Sequence, residues 1–264
     1  MNRRDFFRAG GLVAAGAAVT GVGLRSTAHA DAVDPPPGFA GLGESIGNLP
    51  VAAASTQVIW RVETSRKLVA LTLDDGPVPA YTSDYLDMLV AKKVRATFSL
   101  VGERALAHPD IVARQVSLGH QLENHSFSHL DLGKHSAAIA TREVERGAQI
   151  VERLSGRRPA FFRPPWGMLS GAAVAAVGRV GADVLMWSLQ LDERNLNVEQ
   201  NVGHVVDNIV PGTILLAHDA KHHRLDRRIG LKAIPTIIDR LRDRGYEFVT
   251  VSELVEAGRP GPTG

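Results

Sequence analysis

Within 264 residues, the side chains able to do acid–base or metal chemistry gather in a few short runs. They are Asp74-Asp75-Gly76-Pro77, His125-Ser126-Phe127-Ser128-His129, Arg163-Pro164-Pro165-Trp166-Gly167, the pair Asp192 and Glu193, and His218-Asp219. The chain has no cysteine. That excludes a disulfide framework and any thiolate metal site, so a metal here must be held by His, Asp and Glu. Taken singly, each run has an ordinary structural explanation. Asp-Asp-Gly-Pro makes a good turn, because Asp bonds its own backbone while Gly and Pro set the angles. Two histidines four apart share one face of a helix, where they are commonly surface residues. Arg-Pro-Pro-Trp-Gly suits a rigid loop whose Trp packs on the core, and His218 suits a satisfied buried histidine.

What sets the runs apart is where the surrounding elements put them. From Lys67 onward, short apolar runs at 68–73, 96–101, 121–123, 160–162, 184–189, 213–217 and 247–251 each predict a strand. Segments with helical spacing lie between them, at 83–91, 111–118, 139–154, 171–180, 198–209 and 229–244. Such alternation builds a parallel sheet, open or closed into a barrel. About seven strands in ~200 residues favours a barrel smaller than the common eight-stranded one. The Asp-Asp run follows the first predicted strand, the His pair the third, Arg163 the fourth, Asp192 and Glu193 the fifth, and His218 the sixth. In a parallel barrel all of these positions lie on the C-terminal rim, where active sites are built. Five runs in one phase outweigh the ordinary explanation of each.

With these motifs in this order, the stretch from about Lys67 to Ala257 resembles the polysaccharide deacetylases, carbohydrate esterase family 4, which share the NodB homology domain. Thr72-Leu73-Asp74-Asp75-Gly76-Pro77 matches that family's first motif and His125-Ser126-Phe127-Ser128-His129 its second. Arg163-Pro164-Pro165-Trp166-Gly167 matches the third, and Leu215-Leu216-Ala217-His218 the last. The resemblance implies a distorted (β/α)7 barrel as a single catalytic domain, and hydrolysis of N- or O-acetyl groups on glycans. It implies Asp75, His125 and His129 as ligands of a divalent metal, Zn2+ first, with Co2+, Mn2+ or Ni2+ as alternatives. It further implies Asp74 as general base with Arg163 as its partner and His218 as general acid. The Trp166 backbone N–H would face the oxyanion, with Pro164, Trp166 and Leu216 on the substrate side.

The chemistry of these residue types is consistent with the implied roles. Two imidazoles and one carboxylate suit Zn2+ and leave coordination positions open for water and substrate. A divalent metal acidifies a water it binds, so a nearby carboxylate can take the proton at neutral pH. Neighbouring side chains in an extended segment point to opposite sides, which lets Asp75 face the metal while Asp74 faces the water. An adjacent Arg163 cation holds a carboxylate ionised. An amine leaves only if protonated, which is the work assigned to His218.

The fourth motif departs from the family pattern, which has an Asp three residues after a Trp and then an Asp-Trp pair. Here Trp187-Ser188-Leu189 leads to Gln190, and Glu193-Arg194 stands at the Asp-Trp position. Gln190 brings no charge to raise the pKa of the histidine acid, so Asp192 becomes the candidate acid-tuning partner. The absent Trp removes one wall of the usual acetyl pocket.

The first thirty residues read as an export signal of twin-arginine type. Arg3 and Arg4 precede Phe6-Phe7, a Gly- and Ala-rich apolar run follows from Gly10 to Leu24, and Ala28-His29-Ala30 supplies the small-x-small cleavage pattern. The run is shorter than the roughly 20 residues a membrane span needs, so no stable anchor is expected after cleavage. The leader holds Arg3, Arg4, Arg8 and Arg25 against Asp5, so without it 30 basic and 28 acidic side chains become 26 and 27, a net charge of −1. Nucleic acid is thereby excluded as a partner, since phosphate binding needs a positive surplus. An exported or envelope-associated protein acting on a glycan polymer fits better. The segment 31–66, with Pro35-Pro36-Pro37-Gly38, reads as a linker and N-terminal wrap, 67–257 as the catalytic domain, and 258–264 as a tail. Among rivals, a metalloprotease helix needs Glu directly after the first His, where Ser126 stands. No separated acidic pair of glycosidase type stands out. The reading that results is N-deacetylation of an N-acetylglucosamine or N-acetylmuramic acid polymer. The alternatives are an O-acetyl esterase on acetylated xylan and a non-catalytic glycan-binding module.

Overall fold

The computed structural model describes residues 56–192, 194–220 and 228–258. The expected leader (1–30), residues 31–55 of the expected linker, Glu193 and residues 259–264 of the tail lie outside the described residues. The chain runs through β1 (Val58–Ile59), β2 (Leu68–Asp74), α1 (Pro79–Lys92), β3 (Thr97–Leu100), α2 (Gly102–Ala107), α3 (Pro109–Ser117), β4 (Gln121–Asn124) and α4 (Ala137–Ser155). It continues with β5 (Phe161–Phe162), a 3-10 turn (Pro165–Gly167), α5 (Gly171–Arg179), β6 (Asp183–Leu185) and β7 (Leu189–Gln190). It closes with α6 (Val198–Asn208), β8 (Thr213–His218), α7 (Arg228–Asp243), β9 (Glu247–Val249) and α8 (Val251–Gly258).

β2 is buried along its whole length, as befits a parallel strand covered on both faces. Strand order is β1-β6-β5-β4-β3-β2-β8-β7, with β9 against β2 as well, and every strand pairing is parallel. β6 pairs with β5 while β7, separated from it by residues 186–188, pairs with β8. The sheet therefore curls back on itself, giving the distorted α/β barrel that the resemblance implies. Within 31–66, β1 adds to the edge of β6, and Arg61 bridges Thr213 at the foot of β8.

In-register partners in a parallel sheet share a face, and that face alternates along each strand. Thr72 pairs with Leu216 and Asp74 with His218, so these four share the inner face. Below them the same face is apolar: Leu68, Ala70, Phe161, Leu185 and Ile214 form one buried cluster, with Val251 and Leu254 of α8 packed against it. Leu71 and Leu73 point the other way, into the larger cluster that packs α1, α6 and α7 on the sheet. Each such burial stabilises the fold by roughly 1.5–3 kcal/mol. The polar residues thus stand on a packed apolar floor.

Three elements differ from the pattern read in the sequence. The single strand expected at 184–189 is broken into β6 and β7, because Arg163 donates from Nε to Leu185 O (2.7 Å) and from Nη2 to Met186 O (3.3 Å). A guanidinium thus takes carbonyls that a neighbouring strand would otherwise engage. The strand expected to reach Val251 ends at Val249. There Thr250 and Glu253 cap each other, with Glu253 accepting from Thr250 N and Glu253 N donating to Thr250 Oγ1, which starts α8 instead. α2 was not expected at all; its six residues are too few to show a helical period.

Candidate active site

Asp75 is the first residue beyond β2 and adopts a left-handed backbone, φ 78°. The turn brings its Oδ1 to 3.2 Å from His125 Nε2 and 2.9 Å from His129 Nε2. One ligand atom from each of Asp75, His125 and His129 lies within 4.8 Å of the others, so the three residues expected to hold a metal converge. The two histidines are not on a helix. Residues 125–129 form a loop with left-handed Ser126 (φ 64°) and His129 (φ 59°), in which His129 N donates to Ser126 Oγ at 3.0 Å.

His125 Nδ1 lies 2.7 Å from Arg163 O. A carbonyl only accepts, so Nδ1 carries the proton and Nε2 is turned toward Asp75, the arrangement usual for a metal-binding imidazole. Burial pushes the His125 pKa down, but Asp74 and Asp75 outweigh it and raise it above the ordinary value. Burial likewise pushes the Asp75 carboxyl up, yet hydrogen bonds from His125 and His129, with the charges of His125 and His218, hold it well below the usual range. A pocket that draws a proton onto Nε2 and keeps Asp75 anionic is one that a divalent cation fits, and the donor set of two nitrogens and one oxygen matches Zn2+ chemistry.

Asp74 is held differently. Arg163, fully buried, donates from Nη1 to Asp74 Oδ1 (3.2 Å) and Oδ2 (3.0 Å), and from Nη2 to Thr72 Oγ1 (3.3 Å). With Leu185 and Met186 carbonyls taking Nε and Nη2, the guanidinium is fixed, and it fixes Asp74. Asp74 Oδ2 stays 3.9 Å from His125 Nε2. Asp75 thus stands among the histidines and Asp74 against Arg163, set apart by the left-handed turn at Asp75 and not by the alternation of an extended segment. His218 completes the group as the strand partner of Asp74.

Leu216 is buried on the inner face. Trp166, at φ 60°, is 61% exposed and sits edge-on to His129 with ring centroids 5.0 Å apart. Pro164 precedes it on the same loop, at the head of the 3-10 turn. Trp166 is thus no core residue; its indole is at the mouth of the site. Asp192, the candidate acid-tuning partner, has its bonds in its own turn. Its carboxylate accepts from Arg194 N (3.2 Å), Asn195 N (3.0 Å) and Asn195 Nδ2, because it closes the turn leading into α6. Gln190 Oε1 accepts from Trp187 Nε1 at 2.9 Å.

Several supporting residues were missed. Glu143 of α4 accepts from Ser128 N (2.7 Å) and Ser128 Oγ (2.9 Å), and the Arg146 guanidinium lies 3.5 Å over the Phe127 ring, so one helix grips the histidine loop. A carboxylate on the face of α4 that buries Ala140, Val144 and Val151 was the available signal. Asp219, marked in the sequence beside His218 but given no role there, accepts from Thr82 Oγ1 at 2.7 Å and occupies the space a side chain at Gly76 would need. Burial pushes its carboxyl up to about 7, helped by Asp75 and Asp74 and opposed by Thr82.

Residues 61–185 match the family model described as polysaccharide deacetylase. The chain is 36% identical over 201 residues to a peptidoglycan-N-acetylglucosamine deacetylase of Bacillus cereus, covering 75% of this chain and 92% of that protein. It belongs to the polysaccharide deacetylase family. A peptidoglycan-N-acetylmuramic acid deacetylase of Bacillus subtilis is 34% identical over 196 residues, 74% of this chain and 40% of that longer protein. Among solved structures, a peptidoglycan N-acetylglucosamine deacetylase in complex with a naphthalenyl N-oxidanyl-benzamide superposes with TM-score 0.70 at 30% identity, covering 75% of this chain and 92% of that one. The curled parallel sheet is thus the family fold, and membership makes the chain a carbohydrate esterase family 4 hydrolase.

Proposed function

We propose that this chain removes acetyl groups from an N-acetylated glycan, a peptidoglycan or chitin-like amino-sugar polymer, using a divalent metal, Zn2+ by donor chemistry, held by Asp75, His125 and His129. The observation that carries the reading is the convergence of these three beside an Asp74 that Arg163 orients, with His218 next to it in the sheet. When bound, the ion supplies Lewis acidity to the attacking water and the acetyl carbonyl. Asp74, oriented by the two bonds from Arg163 Nη1, takes the water's proton. The Trp166 N–H faces the carbonyl oxygen as charge develops there. His218 protonates the sugar nitrogen as the carbon–nitrogen bond breaks, so acetate and a free amine are formed. Leu216 lines the side of the acetyl methyl, while Trp166 and Pro164 border the sugar.

The relatives named for peptidoglycan N-acetyl groups support an amide substrate. The test is acetate release by the protein from peptidoglycan, chitooligosaccharides and acetylxylan. Release from the amino-sugar polymers is expected. Release from acetylxylan alone would move the reading to an O-acetyl esterase, and none from any polymer to a glycan-binding module. We further propose that residues 1–30 are a twin-arginine leader whose removal leaves 31–66 as linker and wrap, 67–257 as catalytic domain and 258–264 as tail of an exported protein. Replacing Arg3 and Arg4 together by Lys should block export; unchanged secretion would contradict it.

A further inference from the structure

The two turns that carry the candidate ligands come from different strands, yet one short element grips both. Around the Asp75 turn, Asp74 O accepts from Asp219 N at 3.1 Å and Gly76 O from Val101 N at 3.0 Å. Between them, Asp75 O accepts from the Arg104 guanidinium. On the histidine side, Ser126 O accepts from Gly102 N (3.0 Å) and Phe127 O from Glu103 N (2.9 Å). Val101 to Arg104, the entry and first turn of α2, therefore tie the aspartate turn to the histidine loop. The fit is close: a side chain on Gly102 would meet the Phe127 ring and backbone at 3.0 and 3.2 Å.

Four of the five bonds are backbone contacts that come with the fold. The fifth is made by a side chain, and it falls on the ligand itself. Asp75 is a non-glycine residue in the left-handed region, a conformation that persists where its surroundings over-determine it. An acceptor at its carbonyl, bound to a charged donor, is such a constraint, and charge-assisted bonds are the stronger ones. Resting on the reading that Asp75, His125 and His129 hold a metal, we infer that Arg104 is a positioning residue for that centre. It fixes the backbone of Asp75 and hence where the carboxylate meets the two imidazoles.

The test is Zn2+ affinity, measured by chelator competition on the full chain stripped of metal. Arg104→Met keeps the apolar stem and removes the donors, and is expected to weaken Zn2+ binding on the order of 10- to 100-fold, the usual effect of losing such an outer support. Arg104→Lys, which retains a charged donor, should recover part of the loss. Arg114→Met removes an arginine that pairs with Asp87 on the surface of α3 and should bind as the wild type does. Wild-type affinity in Arg104→Met would overturn the inference, as would a lower thermal melt of the metal-free protein with affinity unchanged, the mark of a merely structural role. If Arg104→Met fails to fold, Arg104→Gln, which removes the charge and shortens the side chain, decides: affinity equal to wild type there contradicts the assignment. A wild-type protein that binds no Zn2+ would instead sink the metal reading on which the inference rests.

Discussion

At the scale of single residues, Asp74 and Asp75 show how one peptide unit divides two tasks. Asp75 leaves the sheet with φ 78° and joins the histidines, while Asp74 remains on the inner face, bound twice by Arg163. Asp74→Asn should therefore lower turnover by about 100-fold or more, the usual contribution of a general base, while Zn2+ content stays near that of the wild type. Metal analysis beside an acetate-release assay checks this, and loss of metal in Asp74→Asn would mean the two roles are exchanged. The Asp75, His125 and His129 set was legible only through the resemblance of its two runs to the family's motifs, and the structure brings the three side chains together. Glu143 and Arg104 were not, because each acts through a contact between elements remote in sequence. Asp192 was suggested by its place in sequence alone, and the donors to its carboxylate are in its own turn.

At the scale of elements, strands with apolar sequence were read, even the two-residue β5 within 160–162, and β1 was not. β2 announces itself in LVALTLD, whereas β1 has two residues and exists because β6 pairs with it. The break between β6 and β7 belongs to a side chain, Arg163, and no local pattern encodes it. The joint between β4 and β5 carries a testable consequence. Glu123, buried on β4, accepts from Phe161 N at 2.6 Å and from Gln121 Nε2, and burial pushes its carboxyl from 4.5 up to about 8 against those bonds. The folded chain then keeps a proton that the unfolded chain releases above pH 4.5. This contribution to stability is fully present below pH 4.5 and is lost as pH rises through about 8. Thermal melts from pH 5 to 9 should fall more steeply for the wild type than for Glu123→Gln, and parallel curves would show that Glu123 is ionised in the fold.

At the scale of the whole molecule, the curled sheet places every candidate catalytic side chain at one end, above an apolar floor. That arrangement is why strand number and the family resemblance pointed to a barrel and the motif positions to its rim, since a parallel barrel gathers the residues that follow each strand. The charge balance belongs to this scale too. A domain near neutrality without residues 1–30 suits a glycan better than a polyanion. The central claim, that a metal held by Asp75, His125 and His129 is needed for deacetylation, is tested most directly by following acetate release from N-acetylglucosamine oligomers and peptidoglycan through chelation and Zn2+ restoration. Activity should vanish on thorough chelation and return in proportion to Zn2+ bound, up to one ion per chain; acetate release that survives removal of the metal would contradict the account.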